Sequence, residues 1–147
     1  MSENLPTING FRLGQSYAEV LTQLGEAKDS RYLGDDNRTD YRHEKDISFL
    51  VDSSDLVVEI RGGQILEVEG QGKVATGMDY LSVIDILGEP NDSTQSFSYS
   101  GFDPEFEDLS DSPVLIDLRY DFPSCDCRVA FAHRPSVSGF WLRRPSH

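Results

Sequence analysis

A chain of 147 residues, 37% hydrophobic and 27% charged, is long enough to bury a core and too apolar to be disordered throughout. Its formal charge of −13 speaks against a nucleic-acid or anionic-membrane surface and for a cationic protein partner. No apolar run approaches the roughly 20 residues that span a bilayer, and Met1 to Gly10 has neither the basic start nor the apolar stretch of a secretion signal, so a cytoplasmic protein is expected.

Ile8, Phe11 and Leu13 alternate loosely and are expected as an entry strand or a packing plug. Gly14 to Ser30 follows, GQSYAEVLTQLGEAKDS, and it returns 63 residues later as Gly77 to Ser93, GMDYLSVIDILGEPNDS, with eight of seventeen positions identical. Matches at one offset mark a duplicated structural unit. Tyr17, Val20, Leu21 and Leu24, then Tyr80, Val83, Ile84 and Leu87, fall at i, i+3, i+4 and i+7, one apolar stripe on one helical face. Ser16 with Glu19 has the capping-box spacing, Asp79 is an N-cap, and Gly25 and Gly88 supply the stops.

After the first helix, Arg31 to Leu33 reads as a short strand and Gly34 to Asn37 as a turn. Arg42 to Val51 reads as one strand with Ile47, Phe49 and Val51 on one face, and Leu56, Val58 and Ile60 alternate beyond the turn Asp52 to Asp55. Gly62-Gly63 is expected to be a tight hairpin into Gln64 to Glu69, and Gly70 to Val74 a joint between halves. The second half inserts Gly101 to Ser112, GFDPEFEDLSDS, with five acids and no base, before Val114, Ile116, Leu118, Tyr120 and Phe122 alternate. Cys127, Val129 and Phe131 and a last strand over Val137 to Leu142 complete it. The fold class is α+β: two tandem pseudo-symmetric repeats, 8–72 and 73–147, each a short helix packed on a three- to four-stranded antiparallel sheet.

His43, His133 and His147 lack the spacing of a metal pair or a nucleophile motif, and Asp35, Asn37 and Thr39 begin a calcium-loop pattern that Asp40 breaks where glycine is required. Cys125 and Cys127 stand in a CxC spacing without the further ligands of a zinc knuckle and are read as reduced thiols. No cofactor, no metal and no catalytic residue is expected. What remains is a surface. Phe102 and Phe106 are interleaved with Asp103, Glu105, Glu107, Asp108 and Asp111, and with Trp141 they are the expected partner-binding residues, since aromatic anchors ringed by charge make up protein-binding hot spots. The four arginines from Cys127 to His147, with no acid among them, are expected to pair with carboxylates elsewhere in the fold.

The motif carried by Gly77, Met78, Val83, Leu87, Gly88 and Pro90, and in weaker form by Gly14, Val20, Leu24 and Gly25, resembles the β-lactamase-inhibitory protein and the BamE/SmpA-type outer-membrane assembly lipoproteins. The resemblance implies a tandem helix-plus-sheet fold whose two sheets form a curved protein-binding face. The expected function is therefore a protein-binding inhibitor, foremost a bacterial immunity protein that neutralises a basic toxin such as a nuclease by stoichiometric binding. A non-catalytic cytoplasmic adaptor or assembly module is the alternative, and a small-ligand or metal-binding protein the second. The partner is expected to be a basic protein, with no nucleic acid and no membrane.

Overall fold

Both glycine-bounded segments form helices, α1 (Tyr17–Leu24) and α2 (Tyr80–Leu87), each of two turns. Ser16 Oγ accepts the Ala18 N–H and Asp79 Oδ1 the Ser82 N–H, so each start satisfies an otherwise orphaned donor. The capping box is not closed: Glu19 instead accepts from the Gln15 side chain at 3.2 Å. At the far ends Gly25 and Gly88 adopt φ of 78° and 83° and return their N–H groups to Leu21 and Ile84. Only part of each expected stripe is buried. Tyr17 and Val20, then Val83 and Leu87, pack inward, while Leu21 and Leu24 remain 39% exposed and Tyr80 40%.

The computed structural model describes residues 6–97, 113–123, 125–131 and 136–144. Its strands are β1 (Pro6–Ile8), β2 (Asp29–Leu33), β3 (Arg38–His43), β4 (Ile47–Val51), β5 (Val57–Gly62), β6 (Ile65–Val68), β7 (Gly72–Ala75), β8 (Asp92–Phe97), β9 (Pro113–Phe122), β10 (Cys125–Ala130) and β11 (Gly139–Arg143). The class is α+β and every pairing is antiparallel. One sheet has eight strands in the order β2-β3-β4-β5-β11-β10-β9-β8, and a second has three, β1-β6-β7. The strands after α1 and those after α2 thus meet at β5 and β11 in one continuous sheet, where the resemblance implied two.

Three local expectations are corrected. The stretch read as one strand from Arg42 to Val51 is broken by a hairpin turn at Glu44-Lys45-Asp46, with Lys45 and Asp46 at φ of 65° and 55°. Left-handed backbone without glycine or asparagine gives no local signal. Gly62-Gly63 is not a hairpin but a passage from the large sheet into the small one. A Cβ on Gly62 would collide with the Asp46 backbone oxygen, and one on Gly63 with the Ile8 side chain. The joint expected at Gly70 to Val74 is a turn followed by β7, so the boundary drawn between 72 and 73 falls within a strand.

One core serves the chain. Ile47, Phe49, Val51, Ile60, Leu118, Tyr120, Cys125, Cys127, Val129, Phe140 and Leu142 line one face of the large sheet, and Ile8, Phe11, Tyr17, Val20, Leu66, Val68, Val74, Val83 and Leu87 cover it from the small sheet and the helices. All are buried in a single cluster. The helices and the small sheet therefore occupy one side, called inner below, and among the described residues no element covers the other side of the eight strands.

Bonds and registers correspond between the two stretches. Gly14 N–H reaches Val57 O and Gly77 N–H reaches Val137 O; Val57 N–H returns to Gln15 O and Val137 N–H to Met78 O; Lys28 N–H reaches Arg42 O and Asn91 N–H reaches Arg119 O. The strand pairings follow suit: Asp29 faces Arg42 as Asp92 faces Arg119, His43 faces Ile47 as Tyr120 faces Cys127, and Phe49 faces Ile60 as Val129 faces Phe140.

Candidate functional site

Of the residues singled out from sequence, Phe102, Asp103, Glu105, Phe106, Glu107, Asp108 and Asp111 lie outside the described residues, and Trp141 lies within them. Trp141 sits on β11 between buried Phe140 and Leu142, so strand alternation turns its ring to the outer face. The registers place it in one lateral row that crosses all eight strands: Asp29, Arg42, Ser48, Arg61, Trp141, Arg128, Arg119 and Asp92. At about 4.8 Å per strand the row is roughly 34 Å long. The neighbouring row reads Arg31, Asp40, Leu50, Glu59, Arg143, Asp126 and Asp121.

This face holds the only tryptophan of the chain and seven of its ten arginines, Arg38 with the six already named. Among the described residues seven acids share the face, Asp29, Asp40, Glu59, Asp92, Asp117, Asp121 and Asp126, so these charges balance in a protein of charge −13. The ion pairs are of two grades. Arg42 meets Asp29 at 2.5 Å and Arg61 meets Asp40 at 2.6 Å, both with hydrogen bonds, and the bond from Arg42 holds the Asp29 carboxyl below its ordinary range. On the side of β9 to β11 the separations are 3.6 Å for Arg119–Asp92, 3.9 Å for Arg128–Asp117 and 3.8 Å for Arg143–Asp126, beyond hydrogen-bond reach. The expected pairing of tail arginines with acids elsewhere is met by Arg128, Arg143 and Arg144, the last facing Asp52.

Trp141 lies against two cations. The Arg128 guanidinium lies 4.3 Å and that of Arg143 4.9 Å from its ring centroid, a cation–π geometry on both. Three buried side-chain atoms have no hydrogen-bond partner among the described residues, and all three belong to the outer face: Trp141 Nε1, Asp117 Oδ1 and Asp40 Oδ1. Asp117 is only 8% exposed. Such atoms are costly to leave unmet and mark places where a partner atom is wanted.

The inner side offers one polar pair that sequence reasoning did not find. Tyr17 Oη and His43 Nε2 are 2.7 Å apart, Tyr41 stacks on Tyr17 with centroids at 4.1 Å, and Phe49 meets the His43 ring edge-on. Burial holds the His43 imidazole below its ordinary pKa and, with help from Tyr41 and Asp55, pushes the Tyr17 phenol up, so both are neutral at pH 7. A His lying on the buried face of a strand was the available signal. A cleft of about 420 Å³ opens beside this pair, lined by Leu21, Glu26, Asp29, Tyr41 and Asp55 among others. Cys125 and Cys127 are buried and unpaired; burial and then Asp126 push the Cys125 thiol up to about 12, which removes thiolate character at neutral pH. Among the described residues no three His, Cys, Asp or Glu side chains are grouped to hold a metal, and no helix is long and apolar enough to cross a membrane.

No protein-family profile matches the sequence, and no curated protein matches it. Solved structures do match in shape. An extracellular protein containing an SCP domain from Bacillus anthracis aligns with a TM-score of 0.59 at 11% identity, over 90% of this chain and 44% of that one. A cysteine-rich secretory protein, SAV1118, from Staphylococcus aureus aligns at 0.55 and 12%, over 90% and 43%. A DUF4309 family protein, YjgB, from Bacillus subtilis aligns at 0.49 and 16%, over 95% and 82%. The first two likenesses establish a shared fold and no more, and this chain spans less than half the length of either protein. The proteins matched are of other kinds than the inhibitor and the lipoproteins that the repeated motif resembles.

Proposed function

We propose that the chain is a non-catalytic protein-binding module of two tandem helix-plus-sheet units, and that it meets its partner with the outer face of the eight-stranded sheet. The observation that carries this reading is the composition of that face: tryptophan and arginine, the residues most often found at the energetic centre of interfaces, are gathered on the one side that helices and small sheet leave open. The two-unit reading is supported by the matched caps, bonds and registers that follow α1 and α2.

Within this class the reading that best joins surface and charge is a stoichiometric inhibitor, a bacterial immunity protein for a basic toxin such as a nuclease. A charge of −13 steers a cationic protein from a distance and speeds its association. Resemblance of the repeated motif to an inhibitor scaffold favours the same function. Unpaired thiols at Cys125 and Cys127 favour a reducing, cytoplasmic setting, although one protein of like fold is described as extracellular. The test is affinity capture with the purified protein, repeated with Trp141→Ala, followed by assay of the captured protein's activity. A basic partner lost with Trp141→Ala and silenced at one-to-one stoichiometry is the expected result. A partner that keeps its activity makes the module an adaptor, and one that Trp141→Ala does not disturb binds elsewhere.

A further inference from the structure

We infer that Arg61, Arg128 and Arg143 around Trp141 form an anion-reading centre that takes a carboxylate from an acidic segment of the partner protein. The inference rests on the outer face being the partner-facing surface and adds which chemistry its centre recognises.

The first argument is a comparison of corresponding positions. Registers match Arg42 with Arg119 and Asp29 with Asp92, but they set Ser48 against Arg128 and Arg61 against Trp141. The sheet beside α1 is built with serine at the position of Arg128, so the fold does not require an arginine there. What the β10 and β11 side adds is a second guanidinium and an indole.

The second argument is electrostatic conflict. Arg128 stands directly opposite Arg119 on the neighbouring strand, and Asp126 opposite Asp121. Like charges facing across a ladder destabilise it, where exchanging one residue of each pair would have relieved both. The result is a row that is basic from Arg42 to Arg119 through Trp141, beside a row of four acids interrupted by Arg143 and ended by Arg31. An anion laid on the basic stripe relieves the repulsion.

The third is unmet bonding. Asp117 and Asp126 stand 3.9 and 3.8 Å from the guanidiniums of Arg128 and Arg143, so among the described residues N–H donors of both arginines remain unused and Trp141 Nε1 has no acceptor. Guanidinium forks match a carboxylate with two parallel bonds. The indole N–H is buried and the two guanidiniums lie 4.3 and 4.9 Å from the ring centroid, so a carboxylate that the arginines take changes the environment of the ring. A polyphosphate strand fits less well: the neighbouring row, about 7 Å away, sets the four acids Asp40, Glu59, Asp126 and Asp121 against the two arginines Arg31 and Arg143, and its net negative charge repels a chain charged at every unit. A protein segment can set carboxylates on one stripe and neutral or basic groups on the other.

Because Trp141 is the only tryptophan, its emission reports this centre alone. The experiment titrates the full chain with three probes: a short peptide of glutamate, aspartate and glycine, a lysine-glycine peptide of equal length, and a single-stranded thymidine oligonucleotide. The acidic peptide is expected to shift Trp141 emission saturably, to weaken with salt, and to bind about tenfold more weakly to Arg128→Ser, the scale of one central interface arginine. Arg128→Ser restores the residue found at the corresponding position of β4 and is expected to fold; Arg143→Gln gives an independent second loss. Arg12→Gln, which removes one exposed charge off the sheet, is expected to leave affinity unchanged, and equal weakening by it overturns the site in favour of net charge. A response to the oligonucleotide without one to the acidic peptide overturns the assignment to protein carboxylates. If only the lysine peptide moves Trp141, the outer face stands as a docking surface and its centre reads cations; silence from all three overturns the centre and removes support for the face as well.

Discussion

The strands that follow α1 and those that follow α2 share matching backbone bonds and registers but differ in what they bury. Beside α1 the core holds aromatic and polar groups, Tyr17 against His43 with Phe49 and Phe11 packed edge-on. Beside α2 the corresponding positions carry Tyr80, which is exposed, Tyr120, which donates its hydroxyl to Gly88 O, and Val129. On the outer face the asymmetry reverses: the α1 side is closed by short ion pairs, and the α2 side carries the tryptophan and the loosely paired arginines. Of the three buried atoms without a partner among the described residues, Asp40 Oδ1 lies on the α1 side and Asp117 Oδ1 and Trp141 Nε1 on the α2 side.

The comparison breaks most visibly in the core. Phe49→Ala, removing a fully buried ring, is expected to cost about 3–5 kcal/mol, against roughly 2 kcal/mol for Val129→Ala at the corresponding position, both read by urea denaturation. Equal losses would mean that the two interiors are energetically alike.

Next come the tyrosines. Tyr17→Phe leaves His43 Nε2 buried without its partner and is expected to cost about 1–3 kcal/mol. Tyr120→Phe removes one bond to a carbonyl that is only partly buried and should cost about 1 kcal/mol. Tyr80→Phe, on an exposed ring, should stay within about 0.5 kcal/mol. The order of these three is the test, and a costlier Tyr80→Phe would contradict it.

A pH dependence follows from the same pair. Burial lowers the His43 pKa in the folded state, so on acidification the unfolded chain takes up a proton at about pH 6.5 while the folded chain does not. The unfolded state then binds more protons, and stability falls from about pH 6.5 down to the depressed folded value. Thermal melts at neutral and mildly acidic pH should show the loss, and His43→Gln should flatten it; an unchanged slope in that variant would assign the effect to other groups.

The smallest effect lies at the ends of the row. Arg42→Gln and Arg119→Gln break corresponding surface pairs, and neither should shift the melting temperature measurably, because exposed ion pairs are screened and entropically costly. A clear loss from Arg42→Gln alone would make the short Asp29 pair structural.

Much of the fold was legible because its signals are local. Two glycine-stopped helices and the inward residues Ile47, Phe49, Ile60, Leu118, Tyr120 and Val129 could be read from period and punctuation, since side chains alternate across a strand and recur along a helix face whatever lies beyond. The hairpin at Lys45-Asp46 was hidden, because Lys45 gives no sign of left-handed backbone and Asp46 only a weak one, with no glycine or asparagine beside them. Trp141 could be singled out by its type, but nothing near it in the chain names Arg61.

By itself, then, the sequence marked both helices, many of the strand segments and the side chains that face inward, and it carries one seventeen-residue motif twice. Only the tertiary structure decided that β5 and β11 meet to make one sheet of eight, that β6 leaves it for another, and that Asp29, Arg42, Ser48, Arg61, Trp141, Arg128, Arg119 and Asp92 fall in one row. The physical reason is that alternation assigns a residue to a face, whereas its neighbours on that face depend on strand order and register, which are set by pairings between segments far apart in the chain.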